Sequence, residues 1–340
     1  MKKITVTSTM HTLKKVETKF LRKNTSTFCY NQPNNITIET TNRCNLSCIW
    51  CPRYFRPITE DMPLDKFRRI VESIGYVENL YPFGVGEPML HKDFDTCISL
   101  AADHSSYTNI NTNGLLLDRA NIERLNSSGL SELTVSLDGS TSEGYLKIRK
   151  GSDFGVVFNN LRLYTEYGEI PLKLYAVIGE PNLKSVENLP ELAKSLGVKT
   201  LEFNIVHPPP DLVYLLPNPS QLKQTLLTLK EKCGRLGIKT DIDVFLKPQS
   251  TSFCFAPFFS CFIDSEGYIA PCCNYPQMRV GNVLKEGFLK AWNGKPLRRF
   301  RGDIKCGRFD EWCAAFCIKF RYTINQSCLS LSSKNKETEK

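Results

Sequence analysis

The chain has 340 residues, 41% of them hydrophobic and 23% charged, with a formal net charge of +9. That is ordinary globular composition, with room for one large domain and one small one. No apolar run approaches a membrane span, and the basic residues 1–24 carry no apolar signal core, so membrane and secretory classes are excluded and a cytoplasmic location is expected.

Residues 1–33 are polar and rich in Thr, Ser and Lys, a weakly structured lead-in. Ile36 to Thr40 alternates β-branched residues and reads as a strand with one buried face. It runs into a loop carrying Cys44, Cys48 and Cys51, a C-x3-C-x2-C spacing, and Pro52 keeps that loop from relaxing into helix. Three thiolates so close can grip three corners of a cubic iron–sulfur cluster, whose full cysteine set is four. The iron left open makes such a site catalytic rather than structural. On spacing alone, half of a zinc-ribbon site is the competing reading. The chain's 14 cysteines, without a signal peptide, favour metal over disulfides.

This stretch resembles the radical S-adenosylmethionine (radical SAM) enzymes, whose signature follows the first strand of a partial (β/α) barrel. The resemblance implies that the open iron takes the amino and carboxylate groups of SAM. Reductive cleavage then gives methionine and a 5′-deoxyadenosyl radical. Trp50 fits the aromatic residue expected just before the third cysteine, near the adenine.

Apolar residues at 64, 67, 70, 71 and 74 form a helical stripe, and a strand over Val77–Phe83 ends in Gly84-Val85-Gly86-Glu87-Pro88. Glycines after a strand let backbone approach a ligand closely. By resemblance this is the family's GGEP segment, placing Gly86 and Glu87 at the SAM amino group. Helix 92–103 and strand 107–112 follow, the strand closing on Asn113-Gly114 where the family has Thr-Asn-Gly. After a helix near 118–127, strand 132–137 places Ser136 and Asp138 on one face at its carboxyl end, the mouth of a parallel barrel. The resemblance assigns Ser136 to the SAM ribose, with Asp138 nearby. It also pairs Arg149, in Tyr145-Leu-Lys-Ile-Arg149, with the SAM carboxylate, a role that suits the guanidinium fork.

Helix 154–166 with strand 171–178, and helix 184–196 with strand 199–206, complete six strands alternating with helices. The fold expected is α/β: a partial (β/α)6 TIM-like barrel over residues 34–210, right-handed by the crossover rule. His207 stands at its mouth as a candidate proton acceptor. A bridging helix, about 219–235, and a strand, 239–245, fill residues 211–250.

Residues 251–329 are rich in cysteine: Cys254, Cys261, Cys272, Cys273, Cys306, Cys313, Cys317 and Cys328. The stretch Phe262 to Cys272 reads as a hairpin turning at Glu266-Gly267. So many cysteines beside so little core imply support by metal. This region resembles a SPASM domain, the auxiliary-cluster extension of one radical SAM branch, through Cys254-x12-Gly267-x4-Cys272, Pro257, Gly281-Asn282, Trp292 and Cys313-x3-Cys317. By resemblance Cys254, Cys261, Cys272 and Cys317 hold a first auxiliary cluster. Cys306, Cys313 and Cys328 are left for a second, with Asp303 where the pattern has its leading cysteine. A zinc site on those same three cysteines is the alternative. Cys273 is a candidate hydrogen-atom donor, while Cys29, Cys97 and Cys233 read as core. The tail 330–340 should be disordered, and the basic run Lys295–Lys305 reads as a solvated face.

The resemblance implies hydrogen abstraction from an unactivated carbon, with SAM, a [4Fe–4S] cluster and one or two auxiliary clusters as cofactors. An oxidoreductase or epimerase acting on a small polar molecule, such as a sugar or aminocyclitol, is the first expectation. Maturation of a peptide or protein side chain is the alternative, and a zinc-stabilised nucleic-acid-binding module is the non-enzyme reading. The expected partners are that substrate and an electron donor such as flavodoxin or ferredoxin; a nucleic acid or a membrane is not expected.

Overall fold

The computed structural model describes residues 27–51, 53, 60–208, 210–246, 254–311, 313 and 317. Pro52, Cys328, the lead-in before residue 27 and the tail from 330 lie outside the described residues. In chain order the elements are β1 (Asn35–Ile38), α1 (Leu64–Ile74), β2 (Val77–Tyr81), α2 (Phe94–Asp103), β3 (Ser105–Thr112), α3 (Arg119–Asn126), β4 (Glu132–Ser136), α4 (Ser142–Ile148) and α5 (Phe154–Tyr167). Then come β5 (Leu172–Ile178), α6 (Leu183–Val186), α7 (Leu189–Ser195), β6 (Thr200–Ile205), α8 (Pro219–Leu236), α9 (Asp243–Leu246), α10 (Ala256–Phe259), β7 (Ser260–Ile263), β8 (Tyr268–Ala270), β9 (Gly281–Asn282), α11 (Val283–Glu286), α12 (Phe288–Trp292) and α13 (Lys295–Lys305).

The first six strands pair in parallel and in sequence, with helices between them. Alternation decides which side chains go where. Leu133 and Val135 of β4, Leu174 and Ala176 of β5, and Leu201 and Phe203 of β6 are buried in one cluster with the covering helices. The other face of the same strands carries Glu132, Thr134 and Ser136, then Lys173 and Tyr175, then Glu202 and Asn204. That inner face is joined by polar contacts. Asn109 donates to Thr134 at 2.9 Å, Tyr107 to Glu132 at 2.8 Å, and Lys173 pairs with Glu132 at 2.7 Å and Glu202 at 3.2 Å. The barrel therefore has an apolar outside and a polar inside.

Helix ends follow local chemistry. Asn218 caps α8 through Ser220 N at 2.9 Å, with Pro219 in the first turn, and Gly237 ends the helix in the left-handed region at φ 73°. The expected helix 184–196 is broken into α6 and α7, because Pro190 has no N–H to give to a helix running through it.

The strand expected over 239–245 does not form. One parallel bridge joins Thr200 to Lys239, and Leu201 N donates to Lys239 O at 2.9 Å. The next outward donor of β6, Phe203 N, is taken by the Asp241 carboxylate at 3.0 Å. A side chain does there what a second strand would do, and the main chain turns away into α9.

The cysteine-rich region joins the same sheet. β7 pairs in parallel with β1, Asn35 to Ser260 through Ile38 to Ile263, and β8 and β9 add antiparallel. The order is β6-β5-β4-β3-β2-β1-β7-β8-β9, with β6 and β9 at the ends among the described residues. The expected hairpin turn is present, with Gly267 at φ 85° and Asp264 accepting from Glu266 N and Tyr268 N. Ile36, Phe67 and Ile70 share one core with Ile263, Phe288 and Trp292. Arg301, expected on a solvated face, is instead fully buried, 4.0 Å above the Trp292 ring. Among the described residues no helix is long and apolar enough to cross a membrane.

Candidate active site at the barrel mouth

The cysteine loop leaves the carboxyl end of β1 and is tied down on both sides. Ser47 N donates to Lys150 O at 2.9 Å and Ile49 N to Ile148 O at 3.1 Å, which fastens it to the end of α4. Arg53 donates to the carbonyls of Cys44 and Leu46 at 3.2 and 2.9 Å, and Arg43 forks onto Asp61 at 2.8 and 2.6 Å. Cys44, Cys48 and Cys51 are all half-buried. Burial raises all three thiols, Cys48 to about 12 against the pull of Arg149. Such thiols ionise when a metal takes their protons' place. Among the described residues no three His, Cys, Asp or Glu side chains converge closely enough to hold a single ion. A cubane, with its irons at separate corners, holds its thiolates further apart than one ion does.

Gly86 is where the second segment meets this loop. A Cβ there would lie 2.5 Å from the carbonyl oxygens of both Thr41 and Arg43. Glu87 N donates to Arg43 O at 2.7 Å, fixing the contact. The Glu87 carboxylate is fully engaged inside the fold: Oε1 accepts from Thr112 Oγ1 at 2.7 Å and Met89 N at 3.2 Å, and Oε2 from Asn113 N at 2.7 Å. Burial pushes this carboxyl up, against those donors. Glu87 thus ties the glycine segment to the end of β3, while the glycine backbone faces the loop.

The structure brings most of the remaining expected residues to the same end of the sheet. Asn113 donates to Asn45 Oδ1 at 2.7 Å and lies 4.0 Å from the Cys44 sulfur. Ser136 donates to Asn111 Oδ1 at 2.7 Å. Asp138 accepts from Val177 N and from Arg149 Nε, both at 2.8 Å. Burial works against the charge on Arg149, and Asp138, Cys48 and Tyr145 together more than offset it. Trp50 packs with Ile148, Val206 and Leu215, close against Gly179. His207 is half-buried just past β6. Cys273 is exposed, and the protein around its thiol raises it. Cys97 and Cys233 are core, and Cys29 is half-buried.

Three residues of the site escaped the sequence reading. Asn111 had a signal, since it alternates with Asn109 and Asn113 along β3. Glu39 continues the inner face of β1 and accepts from Val85 N at 3.4 Å and Ser265 N at 3.3 Å, linking the glycine segment to the β7–β8 turn. Arg53 had none.

Comparison with known proteins agrees with this arrangement. The Radical SAM superfamily model matches residues 38–193, and an iron–sulfur cluster-binding domain model, SPASM, matches residues 254–318. A PqqA peptide cyclase of Granulibacter bethesdensis is 31% identical over 319 residues, spanning 86% of this chain and 84% of that protein. The chain belongs to the radical SAM superfamily. An AdoMet-dependent heme synthase of Methanosarcina barkeri is 23% identical, over 84% of this chain and 91% of that protein. Among solved structures, Streptococcus suis SuiB bound to its precursor peptide SuiA superposes with a TM-score of 0.65 at 17% identity, covering 94% of this chain and 76% of that one. That likeness is one of fold. Radical SAM membership with a SPASM domain brings a [4Fe–4S] cluster, SAM and auxiliary iron–sulfur binding, and the donor set here fits: three half-buried thiols in one pinned loop beside a glycine cradle.

Proposed function

We propose that this radical SAM enzyme matures a peptide, abstracting a hydrogen atom from a side chain that is then cross-linked or oxidised. The observation that carries the reading is the 31% identity with a PqqA peptide cyclase along nearly the whole of both chains. It supports the peptide alternative over oxidation or epimerisation of a sugar-like molecule, the first expectation from sequence. The heme synthase is one relative that speaks for a small substrate.

Cys44, Cys48 and Cys51 would hold the SAM-binding cluster. When bound, cluster and SAM together supply a 5′-deoxyadenosyl radical. Arg149, already charged and aimed by Asp138, suits the SAM carboxylate. Ser136 with Asn111 offers hydroxyl and amide to the ribose, and Trp50 offers its ring to the adenine. The polar inner wall of Tyr175, Asn204, Lys173 and Glu202 presents donors and acceptors to a substrate side chain. His207, just past β6, and Cys273 would be the groups for moving a proton or a hydrogen atom there.

The test is to offer the reduced, reconstituted enzyme and SAM two fractions of host extract, peptides and small metabolites. Peptides should raise 5′-deoxyadenosine release, and one of them should lose two hydrogen atoms by mass. Stimulation by the metabolite fraction alone would refute the reading.

A further inference from the structure

Ser265 belongs to the cysteine-rich region, yet both of its donors are spent on the barrel. It lies in the β7–β8 turn, 2% exposed. Its N–H donates to Glu39 Oε2 at 3.3 Å and its hydroxyl to Glu60 Oε1 at 2.8 Å. The turn that carries it is braced from within. Asp264 accepts from Glu266 N, Tyr268 N and Arg279 Nε at 3.0, 2.9 and 2.8 Å, and Asn282 Nδ2 donates to Glu266 O at 3.1 Å. Donors carried by so firm a turn fix where their acceptors lie.

Each acceptor leads to one wall of the glycine cradle. Glu39, fully buried, takes Val85 N at 3.4 Å through Oε1, between the two glycines, and its Cγ lies 2.5 Å from where a Gly84 Cβ would stand. Glu60 reaches the opposite wall through its main chain. Its N–H donates to Asn42 Oδ1 at 2.6 Å, and its carbonyl accepts from Asn42 N at 3.1 Å and Thr41 Oγ1 at 3.3 Å. Thr41 and Asn42 are the backbone against which Gly86 packs, just ahead of Cys44. One serine thus touches, through two carboxyl groups, both the glycine segment and the start of the cysteine loop.

We propose that Ser265 is a positioning residue for SAM: through Glu39 and Glu60 the C-terminal domain sets the gap between the glycine segment and the cysteine loop. The inference rests on the placing of SAM against that cradle and is independent of the substrate. Ser265→Ala deletes the bond to Glu60 and keeps the N–H on Glu39. Glu60→Ala deletes the same bond from the other side. Glu266→Ala is the control, since it removes a bond within the same turn, to Arg279, and touches neither acceptor.

The experiment is calorimetric titration of the anaerobically reconstituted full chain with SAM, beside KM and kcat for reductive SAM cleavage. In Ser265→Ala both Kd and KM for SAM should rise about three- to thirtyfold, with kcat at saturating SAM within about twofold of wild type. Glu60→Ala should match it, and the double variant should lose no more than either alone, because the two changes break one bond. Glu266→Ala should keep wild-type affinity; a merely structural role for the turn would lower its stability and leave every Kd alike. Should Ser265→Ala fail to fold by circular dichroism, Glu60→Ala carries the test. Wild-type affinity in the folded variants, an equal loss in Glu266→Ala, or additive losses in the double variant would overturn the role of Ser265. Failure of the wild type itself to bind SAM would overturn the placing of SAM, and this inference with it.

Discussion

Replacing Gly86 with alanine sets one methyl group where the cysteine loop already passes. The new Cβ would lie 2.5 Å from the oxygens of Thr41 and Arg43 and 2.8 Å from the carbonyl carbon of Asn42. Ordinary contact begins near 3.4 Å, so about 0.9 Å of movement is required. All three obstacles are backbone atoms, with no rotamer to yield. Overpacking of this kind costs about 1–3 kcal/mol. Some of that is relieved by displacing the turn between Thr41 and Cys44, which carries the first cluster thiol. A shift of that size in a binding site corresponds to about a ten- to hundredfold loss of affinity. Calorimetric titration of the reconstituted variant with SAM should show it, while the auxiliary iron is unchanged. Gly234→Ala is the control, since nothing lies within 4 Å of a Cβ inside α8. That change should stabilise the fold by about 0.5–1 kcal/mol. Wild-type SAM affinity in Gly86→Ala would refute the argument that this close approach sets the loop.

Two further outcomes are expected. Asp138→Asn keeps a bond for Val177 N but strips the charge from a pair only 1% and 10% exposed, so unfolding in urea should lose about 3–5 kcal/mol; a loss under about 1 kcal/mol would mean that Arg149 is not held by charge. Asp95 is kept below the usual carboxylate range by hydrogen bonds from Arg124 at 3.1 and 2.9 Å. A lowered folded pKa adds stability that is complete above the unfolded value, about 3.9, and is lost as pH falls through the folded one. The pair is about one-third exposed, which limits it to about 1 kcal/mol. Wild type should therefore exceed Asp95→Asn in urea midpoint at pH 7, with the gap closing as the pH falls below the unfolded value of about 3.9; a gap that persists in acid would contradict this.

What could be read from the chain was whatever repeats along it. Alternation in Glu132–Ser136 named the buried and the inward residues, and the order of the cysteine loop, glycine segment and Asn113 marked one end of the sheet. Side chains that imitate main chain were not legible. Asp241 looks like one residue of a strand, and its carboxylate in fact replaces the rest of that strand. Nor was Glu87 legible as a strut, because the partners that absorb it, Thr112 and Asn113, lie 25 residues and more along the chain. Which way Cys261 faces depends on the register of β7, and that is settled by a partner from the far end of the protein.

That partner is β1. Its inner pairing with β2 is available early in synthesis, but its other edge waits for β7, 225 residues later by the register of Asn35 with Ser260. At about 5–20 residues per second the ribosome leaves that edge open for roughly 11–45 seconds. Throughout that interval Ile36 and Ile38 lack the apolar cover that Ile263 and Ile269 bring, and the strand offers unpaired amides to any neighbour. A chain cut before residue 254 would keep that exposed edge permanently. The cysteine-rich end is therefore the clasp that closes a nascent, aggregation-prone sheet, whatever else its thiols carry.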